Sequence, residues 1–239
     1  MMGWDDFLTE QDKQHLLIRG KREQFGLGER PVVLVIDVYY RALGHERKPL
    51  LESIKDWPSS CGLEGWESVD RMVGLLAAAR AHNVPVVYAR GLPGFPSDHI
   101  KVKKYGKGGN SGGDHLPPEI RRLANEIVAE VAPHTGELVI EKTAPSAFAG
   151  TPLLHYLRMI GADTLIVCGE ATSGCVRAVV VDGGATYRYR VGIVGECCFD
   201  RTQASHWINL FDMHQKYGDV IDVKTAVDYF ASLKQRTRD

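Results

Sequence analysis

Five apolar residues, Val32, Val33, Leu34, Val35 and Ile36, stand in an unbroken row closed by Asp37. A strand with one wet face alternates apolar and polar side chains, so a run of this kind belongs to a strand covered on both faces. Helices on either side of a parallel sheet supply such cover, and the rest of the chain repeats the pattern. Strand-length apolar runs recur at residues 84–89, 138–140, 164–168, 191–194 and 220–223. Between and after them, apolar residues fall at helical spacing. One set is Val69, Met72, Val73, Leu76 and Ala79; a second is Ile120, Leu123, Ile127 and Val131; a third is Leu153, Leu154, Leu157 and Ile160, stopped at Gly161. Val176, Ala178, Val179 and Val180 open another helix that runs to about Tyr189, and 203–216 and 224–234 read as two more. Six alternations of strand and helix predict an α/β fold of three layers, α/β/α, around a six-stranded, mostly parallel, doubly wound sheet.

A chain of 239 residues suits one such domain, placed at 31–235, behind a polar, helix-prone arm at 1–30 with Trp4, Phe7 and Leu8 as its apolar points. Residues 44–65, with Pro49, Pro58, Gly62 and Gly65, read as an irregular insertion, and 91–118 as one long loop. The glycine cluster at 106–113 in that loop lacks the order of a phosphate-binding loop and does not join a strand to a helix, so it reads as a mobile loop over the site. A net charge of -1 argues against nucleic acid as a partner, since phosphate neutralisation needs a surplus of lysine and arginine. No apolar run approaches the ~20 residues of a membrane span, so no membrane partner is expected. The first 30 residues hold no apolar signal core, which favours the cytoplasm. The five cysteines, Cys61, Cys168, Cys175, Cys197 and Cys198, are odd in number and lack Cys-x-x-Cys spacing. A disulfide framework and a zinc ribbon are both disfavoured, which leaves the question of whether one thiol is chemical.

Ligands of such sheets bind beyond the carboxyl ends of the strands. Strand one ends in Asp37, strand three in Glu141 and Lys142, and strand four runs through Gly169, Glu170, Ala171, Thr172, Ser173 and Gly174 into Cys175 at a helix start. An acid, a lysine and a thiol thus leave the same edge. A free thiol, with a pKa near 8.5, is only about 3% ionised at pH 7. A helix N-terminus adds roughly 0.3–1 kcal/mol, less than one pKa unit. Lys142 would lower the thiol pKa further, and an ionised Asp37 would raise it. Asp37 therefore fits the proton acceptor as attack begins, with Lys142 balancing the charge and the amides before Cys175 as an oxyanion hole. Each group taken alone also has a plain structural reading: a packed cysteine, a turn-forming aspartate, a solvated lysine.

The segments 28–37 (GERPVVLVID), 141–151 (EKTAPSAFAGT), 164–182 (TLIVCGEATSGCVRAVVVD) and 200–220 (DRTQASHWINLFDMHQKYGDV) resemble the isochorismatase-like cysteine hydrolases, over about residues 25–229. The last segment is similar to the N-carbamoylsarcosine and maleamate amidohydrolase branch rather than to nicotinamidases. The resemblance implies that Asp37, Lys142 and Cys175 are a catalytic triad. Cys175 would attack an amide or carbamoyl carbonyl, Asp37 would carry its proton to departing ammonia, and water would resolve a thioester. It also implies a cis peptide at Glu170–Ala171 that turns the amides of Ala171 and Cys175 toward the oxyanion, and a homodimer or homotetramer. In that branch Arg201 looks like a carboxylate anchor; its alternative is an ion pair with Asp200 or with a neighbouring chain. Glu170 stands where relatives mostly carry a small or apolar residue, and either touches substrate or turns to solvent. Tyr39, Tyr40 and Phe148 either line the pocket or pack. The metal-binding Asp-x-His of nicotinamidases is replaced by Ala89, Arg90 and Gly91, and Asp98-His99 is spaced differently. No metal and no cofactor are expected, with His99 and His115 the only loop candidates.

The substrate implied is a small molecule, N-carbamoylsarcosine-like or maleamate-like. Uncharged ureides such as biuret or triuret, and nicotinamide, remain alternatives. Two readings come from other classes. Ser173, Asp200 and His206 follow the chain order of the α/β-hydrolases, without the Gly-x-Ser-x-Gly elbow. A non-catalytic binding protein on the same fold is the other.

Overall fold

The computed structural model describes residues 3–20, 23–92 and 115–233. Six strands, β1 (Pro31–Ile36), β2 (Val86–Gly91), β3 (Leu138–Lys142), β4 (Thr164–Glu170), β5 (Arg190–Phe199) and β6 (Asp219–Ile221), form one sheet in the order β3-β2-β1-β4-β5-β6. Every neighbouring pair is parallel. The chain winds outward from β1 to β3, then returns to β4 on the other side of β1. The carboxyl ends of β1 and β4 therefore flank the switch point where such sheets open a crevice.

Nine helices accompany the sheet among the described residues: α1 (Glu10–Arg19), α2 (Tyr40–Leu43), α3 (Leu50–Asp56), α4 (Gly62–Ala81), α5 (Pro118–Arg122), α6 (Leu153–Met159), α7 (Arg177–Val181), α8 (Gln203–Lys216) and α9 (Val223–Ser232). β1 is buried at every position, and its residues alternate between two apolar layers. Val33 and Val35 face Trp66, Met72 and Leu76 of α4 and Phe230 of α9. Leu34 and Ile36 face Leu157 of α6, Val179 of α7 and Leu210 of α8. Burying one such side chain is worth about 1.5–3 kcal/mol, so the unbroken apolar run stabilises both layers at once.

Three sequence expectations change. The helix expected through Ile120, Leu123, Ile127 and Val131 is only α5 followed by two short 3-10 turns, Leu123–Asn125 and Ala129–Val131. Here the backbone pairs with the chain leaving β1 instead of with itself. Tyr40 N–H donates to Glu126 O at 3.2 Å, Val128 N–H donates to Val38 O at 3.2 Å, and Ile127 bridges Tyr39. The insertion at 44–65 is not wholly irregular, since it contains α3 and the start of α4. The fifth strand, expected at 191–194, runs on to Phe199; the arm is helical as expected, with Trp4 buried edge-on against Phe211 of α8, ring centroids 6.1 Å apart. The glycine cluster 106–113 and His99 lie outside the described residues. No helix of the described residues is long and apolar enough to cross a membrane.

Candidate active site

The end of β1 is set by its neighbours: Ile36 pairs with Ala89 of β2 and Gly169 of β4. Asp37 follows in the left-handed region, with φ 53. Aspartate enters that region more readily than most residues. Its N–H donates to Ala89 O at 2.9 Å, and its carbonyl accepts from Tyr39 N–H at 3.1 Å, so both sides of the turn are tied. Lys142 closes β3 opposite Gly91 of β2. Because β2 lies between β3 and β1, the lysine stem crosses the end of β2 at a residue without a side chain. Its Nζ reaches Asp37 Oδ2 at 2.7 Å and donates to Cys175 Sγ at 3.3 Å.

Cys175 stands in the wide turn Thr172–Val176 between β4 and α7. Gly169 makes the approach possible. Its φ is +117, and a Cβ there would lie 2.0 Å from the Ile36 carbonyl oxygen. Only glycine allows β4 to run this close to the end of β1. The Glu170–Ala171 peptide is cis. Ala171 O accepts from Gly174 N–H at 2.9 Å and from Val176 N–H at 3.1 Å.

Two side chains brace this turn from β5 and α8. Asp200 Oδ2 accepts from Ser173 N–H at 2.7 Å, and its Oδ1 accepts from Arg201 N–H at 2.8 Å. Thr172 Oγ1 lies 2.8 Å from His206 Nδ1. Burial pushes the His206 pKa down to about 4, with Asp200 opposing, so the ring is neutral at pH 7. Thr202 caps α8 by accepting from Ser205 N–H at 3.2 Å, which starts the helix just after Arg201. The serine-hydrolase arrangement is not assembled. Ser173 is exposed, its amide rather than its hydroxyl meets Asp200, and His206 pairs with Thr172. Sequence reasoning missed the bracing role of Asp200 and His206; the position of Asp200 at a strand end on the same edge was the available signal.

The electrostatics describe a resting thiol. Burial, reinforced by the nearby Asp37 carboxylate, pushes Cys175 up to about 12, and Lys142 only partly offsets this. Lys142 lowers the thiol pKa and Asp37 raises it, in the directions expected from sequence, but desolvation, which sequence did not signal, outweighs the ammonium. Burial also raises the Asp37 carboxyl, while Lys142 and the thiol pull it back. Burial works against the Lys142 ammonium, but Asp37 and Cys175 outweigh it and hold its pKa above the ordinary lysine value. Asp37 Oδ1 is buried with no aligned hydrogen bond.

A second ion pair sits on the same edge. Glu170 is buried and turned inward, not toward solvent, and Arg201 Nη2 lies 2.6 Å from its Oε1. That contact is close but not aligned as a hydrogen bond, so Oε1 is left without one. Burial raises Glu170 to about 7; Arg201 opposes the rise, while Asp37 and Asp200 add to it. Arg201 thus pairs with Glu170 through its side chain and with Asp200 only through its backbone. Tyr39 faces both ion pairs: burial, then Asp37, Glu170 and Cys175, raise its phenol well above the usual tyrosine value. Cys61, at the start of α4, is likewise raised by burial and by Glu170, a neighbour that sequence did not signal. Tyr40 packs half-buried on the α4 layer. Phe148 lies in the opposite apolar layer against Tyr187, ring centroids 4.9 Å apart, with Cys175 packed on that layer. His115 Nε2 meets Asp56 Oδ1 at 2.9 Å, at the end of α3. Among the described residues no three His, Cys, Asp or Glu side chains converge as a metal set. A cavity of about 580 Å³ between α4, β5 and α8 touches Asp200 and His206 but none of Asp37, Lys142 and Cys175.

Comparison with known proteins agrees in fold and in sequence. An isochorismatase domain matches residues 63–225. A maleamate amidohydrolase of Pseudomonas putida is 31% identical over 219 residues, which span 88% of this chain and 92% of that one. An N-carbamoylsarcosine amidase of Arthrobacter sp. is 33% identical over 226 residues, 91% of this chain and 77% of that one. Among solved structures, an isochorismatase family protein from Desulfovibrio vulgaris superposes with a TM-score of 0.65 at 26% identity, covering 85% of this chain and 100% of that one.

Proposed function

This chain belongs to the isochorismatase family, and from that premise we propose that it is a cysteine amidohydrolase cleaving the C–N bond of a small linear amide or ureido compound. The observation that carries the reading is Lys142 Nζ, held 2.7 Å from the Asp37 carboxylate and 3.3 Å from the Cys175 thiol. Two of the relatives are named for maleamate and N-carbamoylsarcosine, both of which offer a terminal –CO–NH2 group.

The thiol does not ionise first. With a pKa of about 12, forming the free thiolate at pH 7 would cost about 7 kcal/mol. Asp37 instead takes the proton while the S–C bond forms, and Lys142 keeps the edge charge-balanced. The amides of Ala171 and Cys175 receive the developing oxyanion. As the C–N bond breaks, Asp37 returns the proton to the leaving nitrogen and ammonia departs, leaving an acyl or carbamoyl thioester. Asp37 then deprotonates a water that attacks the thioester, and the proton goes back to sulfur. Amide and water become acid and ammonia, with the enzyme restored.

An ammonia-release screen across N-carbamoylsarcosine, maleamate, nicotinamide and biuret tests the reading. At least one compound is turned over, intact-protein mass spectrometry finds an adduct on Cys175, and Cys175→Ala loses about 10^4-fold or more in rate. Retained turnover in Cys175→Ala would sink the thiol mechanism.

A further inference from the structure

Resting on the cysteine amidohydrolase reading, we infer that Glu170 makes this site select uncharged substrates bearing N–H donors, ureides or diamides, over substrates carrying a carboxylate. Arg201 is the cation whose fork would suit a carboxylate. Its guanidinium is already taken, with Nη2 lying 2.6 Å from Glu170 Oε1. An arginine neutralised by a buried acid offers an incoming anion little net attraction.

The charges around the edge point the same way. Asp37, Glu170 and Asp200 are acids; Lys142 and Arg201 are bases; and Arg41 on α2 adds a third cation, near enough to Tyr39 to act on its phenol. With Glu170 ionised, as it mostly is at pH 8.5, three against three leaves the crevice neutral, where an anion subsite needs a positive surplus. His206 is neutral and adds nothing.

Glu170 also provides what an uncharged ureide needs. Its Oε1 is held by Arg201 Nη2 at 2.6 Å, and the carboxyl sits near Asp37 and Lys142, which act on it electrostatically. A carboxylate has about four lone-pair sites, so one guanidinium contact leaves acceptor capacity for a further donor. The second N–H group of a ureide, or the distal –NH2 of a diamide, is such a donor. A substrate carboxylate brings only acceptors and would face Glu170 as a like charge.

Matched pairs isolate the charge: N-carbamoylsarcosine against its carboxamide, and maleamate against maleamide. The expected result is a kcat/KM at least tenfold higher for the uncharged member of each pair, or turnover confined to the uncharged members and biuret. Glu170→Gln is expected to release Arg201, lower KM for the acidic members tenfold or more and weaken the uncharged ones. Should that variant fail to fold, the wild-type ratio alone decides. A wild-type preference for the acidic members overturns this inference and leaves the amidohydrolase reading standing. No ammonia from any of these compounds, together with no adduct on Cys175, overturns both.

Discussion

Asp37–Lys142 and Glu170–Arg201 share one sheet edge, yet their surroundings separate their roles. In the first pair the side chains are 1% and 5% exposed, and the cation is shared with a thiol. In the second the acid is 4% exposed but the arginine is 46% exposed, and it touches no reacting atom. With both partners out of water, a pair cannot exchange its ions for hydrated ones cheaply, and removing one partner strands a buried charge. With one partner half in water, solvent screens the cation and the pair can be opened. On the proposed function, the same two chemical ingredients serve proton transfer in one place and substrate recognition in the other.

The largest expected contrast is in stability and thiol reactivity. Lys142→Ala leaves Asp37 buried without its cation and is expected to cost about 3–5 kcal/mol in denaturant unfolding. Arg201→Ala removes a half-exposed partner from an acid that burial already brings to about 7, and should cost about 1–2 kcal/mol at pH 6, where Glu170 can take up a proton. Equal losses for the two variants would erase the distinction between the pairs. Alkylation of Cys175 by iodoacetamide reads the first pair directly. With a thiol near 12, the rate should climb about tenfold per pH unit from pH 7 past pH 9. A plateau just above pH 8.5 would mean that Lys142 governs the thiol after all.

The contrast was only half visible in the sequence, for a reason that lies in strand register. The first pair and the thiol follow strands whose ends are legible as apolar runs, and β1, β3 and β4 place Asp37, Lys142 and Cys175 on one edge by topology. The second pair depends on an irregularity. Val167 of β4 pairs with Ile193 of β5, and Gly169 pairs with Cys198, so two steps along β4 match five along β5. That offset carries Arg201 alongside Glu170. A local reading of β5 stops at 194 and offers Arg201 only a substrate carboxylate, Asp200 or a neighbouring chain as partner, not Glu170. The helix expected across 120–131 fails for a related reason, since its backbone partners, Val38 and Tyr40, lie about ninety residues earlier in the chain. Helix 203–216, by contrast, carries its own cap at Thr202 and its own apolar stripe, and it was legible to the residue.

The smallest predicted effect tests the second pair without altering the chain. Glu170 has a carboxyl pKa raised to about 7, so it is mostly ionised at pH 8.5 and mostly protonated at pH 6. A proton on Glu170 removes the negative partner of Arg201 and takes the pair from neutral to a charge of about +1. The other groups that act on Glu170 are Arg201, Asp37, Asp200 and Lys142, with Cys61 and Tyr39 beside it. The arginine and lysine stay charged and the thiol and phenol stay neutral between pH 6 and 8.5, because their pKa values are raised. Glu170 has its value of about 7 inside that window; burial also raises Asp37, but Asp37 serves both members of a matched pair alike, so its titration cancels in their comparison. KM for a carboxylate-bearing substrate should fall severalfold, to about tenfold, as pH drops from 8.5 to 6. KM for its uncharged partner should move less than twofold or rise slightly, since a protonated Glu170 is the weaker acceptor. Parallel KM profiles for the two members of a pair would place Arg201 outside the reach of substrate and reduce the second pair to a structural tie between β4 and the turn after β5.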